Sequence, residues 1–383
     1  MRLLLVVGTA NDTFVYHMVR WLQKSMPVKL ELFEFWPSGQ QSFETGRYCR
    51  LNSAVNSGWL YRGHLASFTE PFGLHRQLGR FLCGRHYDVI HCHWLSAPVV
   101  LTASLRHHCD RLFATFWGGE LEEQKLLRSH SLYMRLLHRF MRNVSVVVNS
   151  AAYREKLQAE FPEFRGIYRT GNLGSGPMEE LYRQLSDGDR AAMRRQWGIE
   201  AGKCSVLIGY SGKELHRHLE VVEAFRRHPE WRGRFHLLAP MTRSADPDYV
   251  DRVEAALAAS GYSHTLVRDR FLTDGEMASL RCATDVVIQN SRFDGFSRSI
   301  IECLCAGSLL IYGEWLPYGP YLEEYGFYAV PVKDIADGVE QAARILDGWD
   351  GVKSHLAANS DRGRSRFLWS ECIRDWVEAY QQK

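Results

Sequence analysis

Short apolar runs alternate with helical stretches along this chain, break off, and start again past residue 200. In the first half, Leu3 to Val7 and Val28 to Phe35 flank a helical stretch from Thr13 to Ser25. Further apolar runs follow at Val89 to His91, Leu112 to Phe116 and Val144 to Asn149. The second half repeats the rhythm with Ser205 to Gly212, Leu219 to Arg227, Phe235 to Ala239, Pro247 to Ser260 and Thr284 to Gln289. Strand-length runs separated by helix-length ones predict parallel sheets covered by helices. At 383 residues the chain is too long for one typical core. The expected architecture is therefore α/β: two Rossmann-like, doubly wound domains facing a cleft. The glycine-rich stretch Gly166 to Pro177 reads as the crossover, giving domains at 1–172 and 173–364. The helical, aromatic segment 365–383 is expected to pack back on the first domain.

Composition narrows the class. With 45% hydrophobic and 24% charged residues the chain is an ordinary folded protein. Its nine cysteines are scattered, odd in number and without CxxC pairs, so a reducing cytoplasm is expected and neither a disulfide scaffold nor a zinc site. The apolar run at Met1 to Gly8 reads as a buried strand, too short for a signal peptide, and no run approaches the ~18 apolar residues of a membrane span. A net charge of +3 says little about a polyanionic partner; nucleic acid is not expected, because the basic residues are not interleaved with an exposed aromatic stripe on one sheet face. Residues 125–142 are basic and amphipathic, with Lys125, Arg128, Arg135, Arg139 and Arg142 among leucines and aromatics. Two readings stay open for them: a core helix with a solvated basic face, or a peripheral contact with an anionic membrane surface.

The stretch Gln289 to Gly307 joins an acid, Asp294, to a glycine turn at Gly295 and a second acid, Glu302, eight residues on. Val286 to Ile288 ends a buried strand, Gly295 permits a sharp turn, and Phe296 and Ser297 lead into a helix whose first N–H groups would suit a diphosphate. Carboxylates accept hydrogen bonds from diols, so the pair suits sugar and ribose hydroxyls. Alternatively, Asp294 and Gly295 form a plain turn before a helix with a solvated Glu302. The pair with seven residues between them resembles the motif of GT-B glycosyltransferases of family 4, although Asp294 stands where that family more often has Glu. The small-residue turn and strand that follow, Cys305 to Ile311, are similar to the family pattern.

A second cluster lies at Gly209 to His218, where Ser211, Gly212, Lys213, Arg217 and His218 follow a strand and precede a helix. Cations at a helix N-terminus are unfavourable unless an anion is near, and a departing diphosphate would be one. Lys213 and Arg217 are expected to stabilise that leaving group, with Ser211, Gly212 and His218 binding the donor; a solvated basic turn is the plainer alternative. The Gly-x-Ser-Gly spacing, the His six residues later, and Trp117 to Leu121 resemble the family 56 enzymes that transfer 4-acetamido-4,6-dideoxygalactose to a lipid-linked acceptor. The two resemblances imply opposite stereochemical courses, retaining for family 4 and inverting for family 56.

In the first half, polar residues gather behind strand ends, where open α/β sheets bind ligands. Glu120 is the candidate general base, with a helix-dipole partner as its plainer role. His17, His93 and Trp117 are candidate acceptor contacts. His91 and His93 share a strand face, but no third ligand stands at useful spacing, so no metal is expected. The aromatic loop Tyr312 to Tyr318 either stacks on the donor base or packs under the final helices. Together these readings give an expected glycosyltransferase with no resident cofactor. It would move a sugar from a nucleotide-diphosphate sugar to a glycan or lipid-linked acceptor for cell-surface polysaccharide or glycolipid synthesis. A GT-B sugar-nucleotide epimerase and a degenerate, non-catalytic binding protein remain the alternatives.

Overall fold

The computed structural model describes residues 1–7, 12–34, 48–50, 66–117, 121, 130–242 and 246–382. The chain divides into two compact units, Met1–Gly174 with Trp369–Lys383, and Ser175–Leu368. Each is a parallel sheet covered by helices.

In the first unit the strands are β1 (Arg2–Val7), β2 (Lys29–Glu34), β3 (Tyr48–Arg50), β4 (Tyr87–His93), β5 (Cys109–Thr115), β6 (Val146–Asn149) and β7 (Ile167–Thr170). Their order is β3-β2-β1-β4-β5-β6-β7, and neighbours pair in parallel. The strand β7 corrects the reading of Gly166 to Pro177 as crossover alone. Ile167 and Thr170 are exposed and Tyr168 and Arg169 half-buried, the pattern of a sheet edge that apolar periodicity does not reveal. One face of this sheet is closed by the C-terminal helix Trp369–Gln381. Its Trp369, Trp376 and Tyr380 are fully buried with Leu3, Leu5, Phe113 and Val148. The indole N–H of Trp376 donates to the carbonyl of Asn172 at 2.9 Å, satisfying the polar atom of that side chain.

The second unit contains β8 (Cys204–Ile208), β9 (Phe235–Pro240), β10 (Ser263–Val267), β11 (Val286–Gln289), β12 (Leu309–Gly313) and β13 (Val330–Val332), ordered β10-β9-β8-β11-β12-β13. Alternate residues feed two cores. Val206, Ile208, Val286, Ile288, Leu309 and Ile311 point to one face, and Leu207, Val287 and Leu310 to the other. Burial on both faces explains why these strands read as continuous apolar runs. Each buried aliphatic side chain stabilises the fold by roughly 1.5–3 kcal/mol relative to exposure.

Candidate functional site

Strand order fixes where a ligand belongs in the second unit. From β8 the chain steps to β9 on one side and later returns to β11 on the other, so the loops leaving the carboxyl ends of β8 and β11 part there. Those loops are 209–217, before the helix His218–Arg226, and 290–297, before the helix Arg298–Cys305. They are bonded together. Arg292 N–H donates to the Leu215 carbonyl at 2.9 Å, and His216 bridges Ser211 Oγ (2.8 Å) and Ser291 Oγ (2.7 Å) through its two ring nitrogens. Burial, then the nearby His218 and Lys213, push the His216 imidazole down to about 3, so it is neutral at neutral pH. Ser211 and His216 thus brace the two loops against each other. Gly212 is also buried, its carbonyl accepting from Asp246 N–H.

The acid pair sits beside these loops with its oxygens already engaged. Asp294 is buried and accepts from Tyr210 Oη at 2.6 Å, from the Tyr318 hydroxyl, and from Ser297 N–H at 3.2 Å. Burial and the Asp294 charge raise the Tyr318 phenol well above its usual range, so it remains a donor. Glu302 is buried, accepts from the Ser175 hydroxyl, and pairs through Oε2 with Arg281 Nε at 3.2 Å. Arg281 is 1% exposed, so this is an interior ion pair rather than the solvated Glu302 of the plainer reading. The turn also differs from expectation. Gly295 is exposed and does not have positive φ; the left-handed residue is Phe296, at φ 67°. That conformation costs an L-residue about 1–2 kcal/mol. Packing of the Phe296 ring on Tyr318 (4.9 Å) and Tyr321 (5.2 Å) offsets it. Ser297 then N-caps the helix Arg298–Cys305 without a side-chain cap bond.

Two of the expected cations lie at the surface of this crevice. Lys213 is exposed and makes no ion pair among the described residues. Arg217 adopts φ 58°, pairs loosely with Glu220 at 3.4 Å, and places its guanidinium 6.0 Å from the Trp315 ring centroid. His218 behaves otherwise. It is fully buried, its backbone N–H and Nδ1 both meet Tyr249 Oη, and Nε2 faces Gly209, where a Cβ would collide with it. Burial holds it down to about 4.

The first unit has a matching switch point between β1 and β4, with Val7 in register with His93. His93 is fully buried, and neither ring nitrogen has a hydrogen-bond partner among the described residues; burial holds it down to about 3. Its ring lies 4.1 Å from that of His91, whose nitrogens meet Tyr380 Oη (2.6 Å) and Thr115 Oγ1 (2.9 Å). Trp117 meets His93 edge-on at 6.1 Å. His17 is half-buried on the helix Asp12–Ser25. Glu120 lies outside the described residues. Among the described residues, no group of three His, Cys, Asp or Glu side chains could hold a metal.

Residues 12–166 match the family profile described as Glycosyltransferase Family 4. Over that segment the chain is similar to family 4 glycosyltransferases. Its fold agrees with solved GT-B structures. Sucrose-phosphate synthase from Thermosynechococcus elongatus superposes with a TM-score of 0.78 at 14% identity, covering 100% of this chain and 99% of that one. HepE from Anabaena, solved with UDP and glucose, gives 0.68 at 14% identity over 100% of both chains. A glycosyltransferase from Rickettsia africae ESF-5 gives 0.67 at 14% identity, covering 99% of this chain and 97% of that one. At such identity the likeness carries the fold alone. No curated relative matches the sequence.

Sequence reasoning missed Tyr210, His216, Arg281 and Tyr318, the partners that hold the acids and loops of this site. Tyr210 and His216 stood inside the Gly209 to His218 cluster, and the signal for them was the run of polar residues in a loop behind a buried strand. Arg281 gave no such signal, because it lies in a separate helix, Asp274–Ala283. Of the segment 125–142, the part from 130 on forms the helix His130–Met141, with Tyr133, Leu137, Phe140 and Met141 buried and Arg135, Arg139 and Arg142 on its more open side. His138 is held by Glu163 at 2.7 Å. No helix among the described residues is long and apolar enough to cross a membrane.

Proposed function

We propose that this protein is a glycosyltransferase that takes its sugar from a nucleoside-diphosphate sugar held by the second unit and delivers it to a glycan or lipid-linked saccharide at the first. The observation carrying this reading is the meeting of an exposed Lys213 and the half-exposed Arg217 with the helix start at Ser297, all at one switch point. Two cations and a helix N-terminus without a side-chain cap are the groups that favour an anion such as a diphosphate. As the bond to the sugar breaks, charge accumulates on the diphosphate, and these groups stabilise it without needing to reorganise. Asp294 and Glu302 keep free lone pairs for hydroxyls while their other sites hold them in place. UDP in the HepE complex supports a nucleoside diphosphate as the ligand class.

On the first unit, His93, Trp117 and His17 contact the acceptor, and in an inverting course Glu120 takes the proton of its attacking hydroxyl. The product belongs to cell-surface polysaccharide or glycolipid, and the basic segment 125–142 holds the enzyme against the anionic inner face of the membrane. Release of nucleoside diphosphate from UDP-, GDP- and dTDP-sugars, with and without a polyprenyl-diphosphate saccharide, tests the reading. One base class should be turned over, and Lys213→Ala or Arg217→Ala should slow it by about a hundredfold or more with melting unchanged. Equal turnover in both variants would remove these cations from the mechanism, and binding without turnover would favour a non-catalytic binding protein.

A further inference from the structure

Trp315 is the one large aromatic side chain in the loop after β12 that stays substantially open, at 38% exposure, while Leu316 and Tyr318 beside it are buried. Exposed indoles usually move; this one is held on three sides. Its N–H donates to the Ser291 carbonyl at 2.8 Å, tying it to the loop after β11. Gly313 makes room for it, since a Cβ there would fall inside the indole. The Arg217 guanidinium lies 6.0 Å from its centroid. A rigid aromatic plane is therefore presented at the carboxyl edge of the sheet, beside a cation of the diphosphate site.

We propose that Trp315 is a stacking platform for the transferred sugar, selecting donors whose ring offers an apolar face of C–H bonds. The negative face of the indole attracts weakly positive C–H groups, and its area leaves water when a ring lies on it. Adjacency decides between the rings of the donor. With Arg217 on the phosphates of the proposed site, the indole beside it is nearest the two rings bonded to the diphosphate, the transferred sugar and the ribose, whereas the base lies a full ribose further away; of those two rings, only the transferred sugar is missing from the parent diphosphate. This inference rests on the nucleoside-diphosphate reading of the site.

The test is isothermal titration of wild type, Trp315→Ala and Trp315→Phe with UDP and UDP-glucose, GDP and GDP-mannose, and dTDP and dTDP-glucose. For the pair that binds, Trp315→Ala should weaken the sugar nucleotide about tenfold and the parent diphosphate by no more than about twofold. Trp315→Phe keeps a ring face and should restore most of the difference. Equal weakening of both ligands would place the indole under the nucleoside, and no change in either would leave it without a donor; each overturns the proposal. If none of the six ligands binds wild type, the diphosphate reading itself fails.

Discussion

At the residue scale the site is governed by how its charges are partnered. Glu302 shares an interior ion pair with Arg281, so removing the acid leaves a buried guanidinium without its counter-ion. Glu302→Ala should lower stability by about 3–5 kcal/mol, whereas Glu302→Leu combined with Arg281→Met should recover most of it. Thermal melting of the three proteins checks this, and an unchanged melting temperature in Glu302→Ala would contradict the pairing. Lost nucleotide binding in that single variant would therefore not identify a ligand contact. Arg217 combines a strained backbone with a partly open charge. Arg217→Gly should be neutral or about 1 kcal/mol more stable, since glycine accepts positive φ, yet far slower in turnover. A variant both destabilised and fully active would reverse both halves of that assignment.

At the element scale, the strands that read clearly from sequence are those buried on both faces. β1, β8, β11 and β12 are rich in Leu, Val and Ile, and β4, β5 and β9 carry Val89 and Ile90, Leu112 and Phe113, and Leu237 and Leu238 at their centres, as burial demands. The edges did not read. β7 is largely open, β10 has only half-buried residues before Val267, and β3 and β13 have three residues each, too few for any period to register. The acid pair was legible as a spacing but its environment was not. Arg281 and Tyr318 reach it through tertiary structure, from 21 and 24 residues away along the chain. The turn departs from expectation because glycine is the usual residue for positive φ, and here aromatic packing keeps Phe296 there instead. The closing helix Trp369–Gln381 makes a separate claim. Trp376→Ala should cost about 3–5 kcal/mol by opening a cavity against the first sheet. A melting temperature within a degree or so of wild type would contradict its place in that core.

Across the whole molecule, both units bury neutral histidines at their switch points. His93 is held down to about 3, His216 to about 3 and His218 to about 4, against an ordinary value of 6.5, in each case first by burial. In the unfolded chain these imidazoles take up protons below about pH 6.5. Between that pH and the folded values the unfolded state binds more protons, so stability is complete above about pH 6.5 and declines as pH falls toward about 3 to 4. Every tenfold loss of proton affinity on folding is worth about 1.4 kcal/mol. The melting temperature should thus fall from about pH 7 to about pH 5, and His93→Leu should flatten the decline; an identical slope in that variant would show His93 protonated in the folded protein. The central claim, that the second unit holds a nucleoside diphosphate between the loops after β8 and β11, is tested most directly by titrating UDP, GDP and dTDP into wild type and the double variant Lys213→Ala with Arg217→Ala. One diphosphate should bind wild type and lose about tenfold or more in affinity in a variant that melts normally. Undiminished binding in that variant, or no binding by wild type, would contradict the claim.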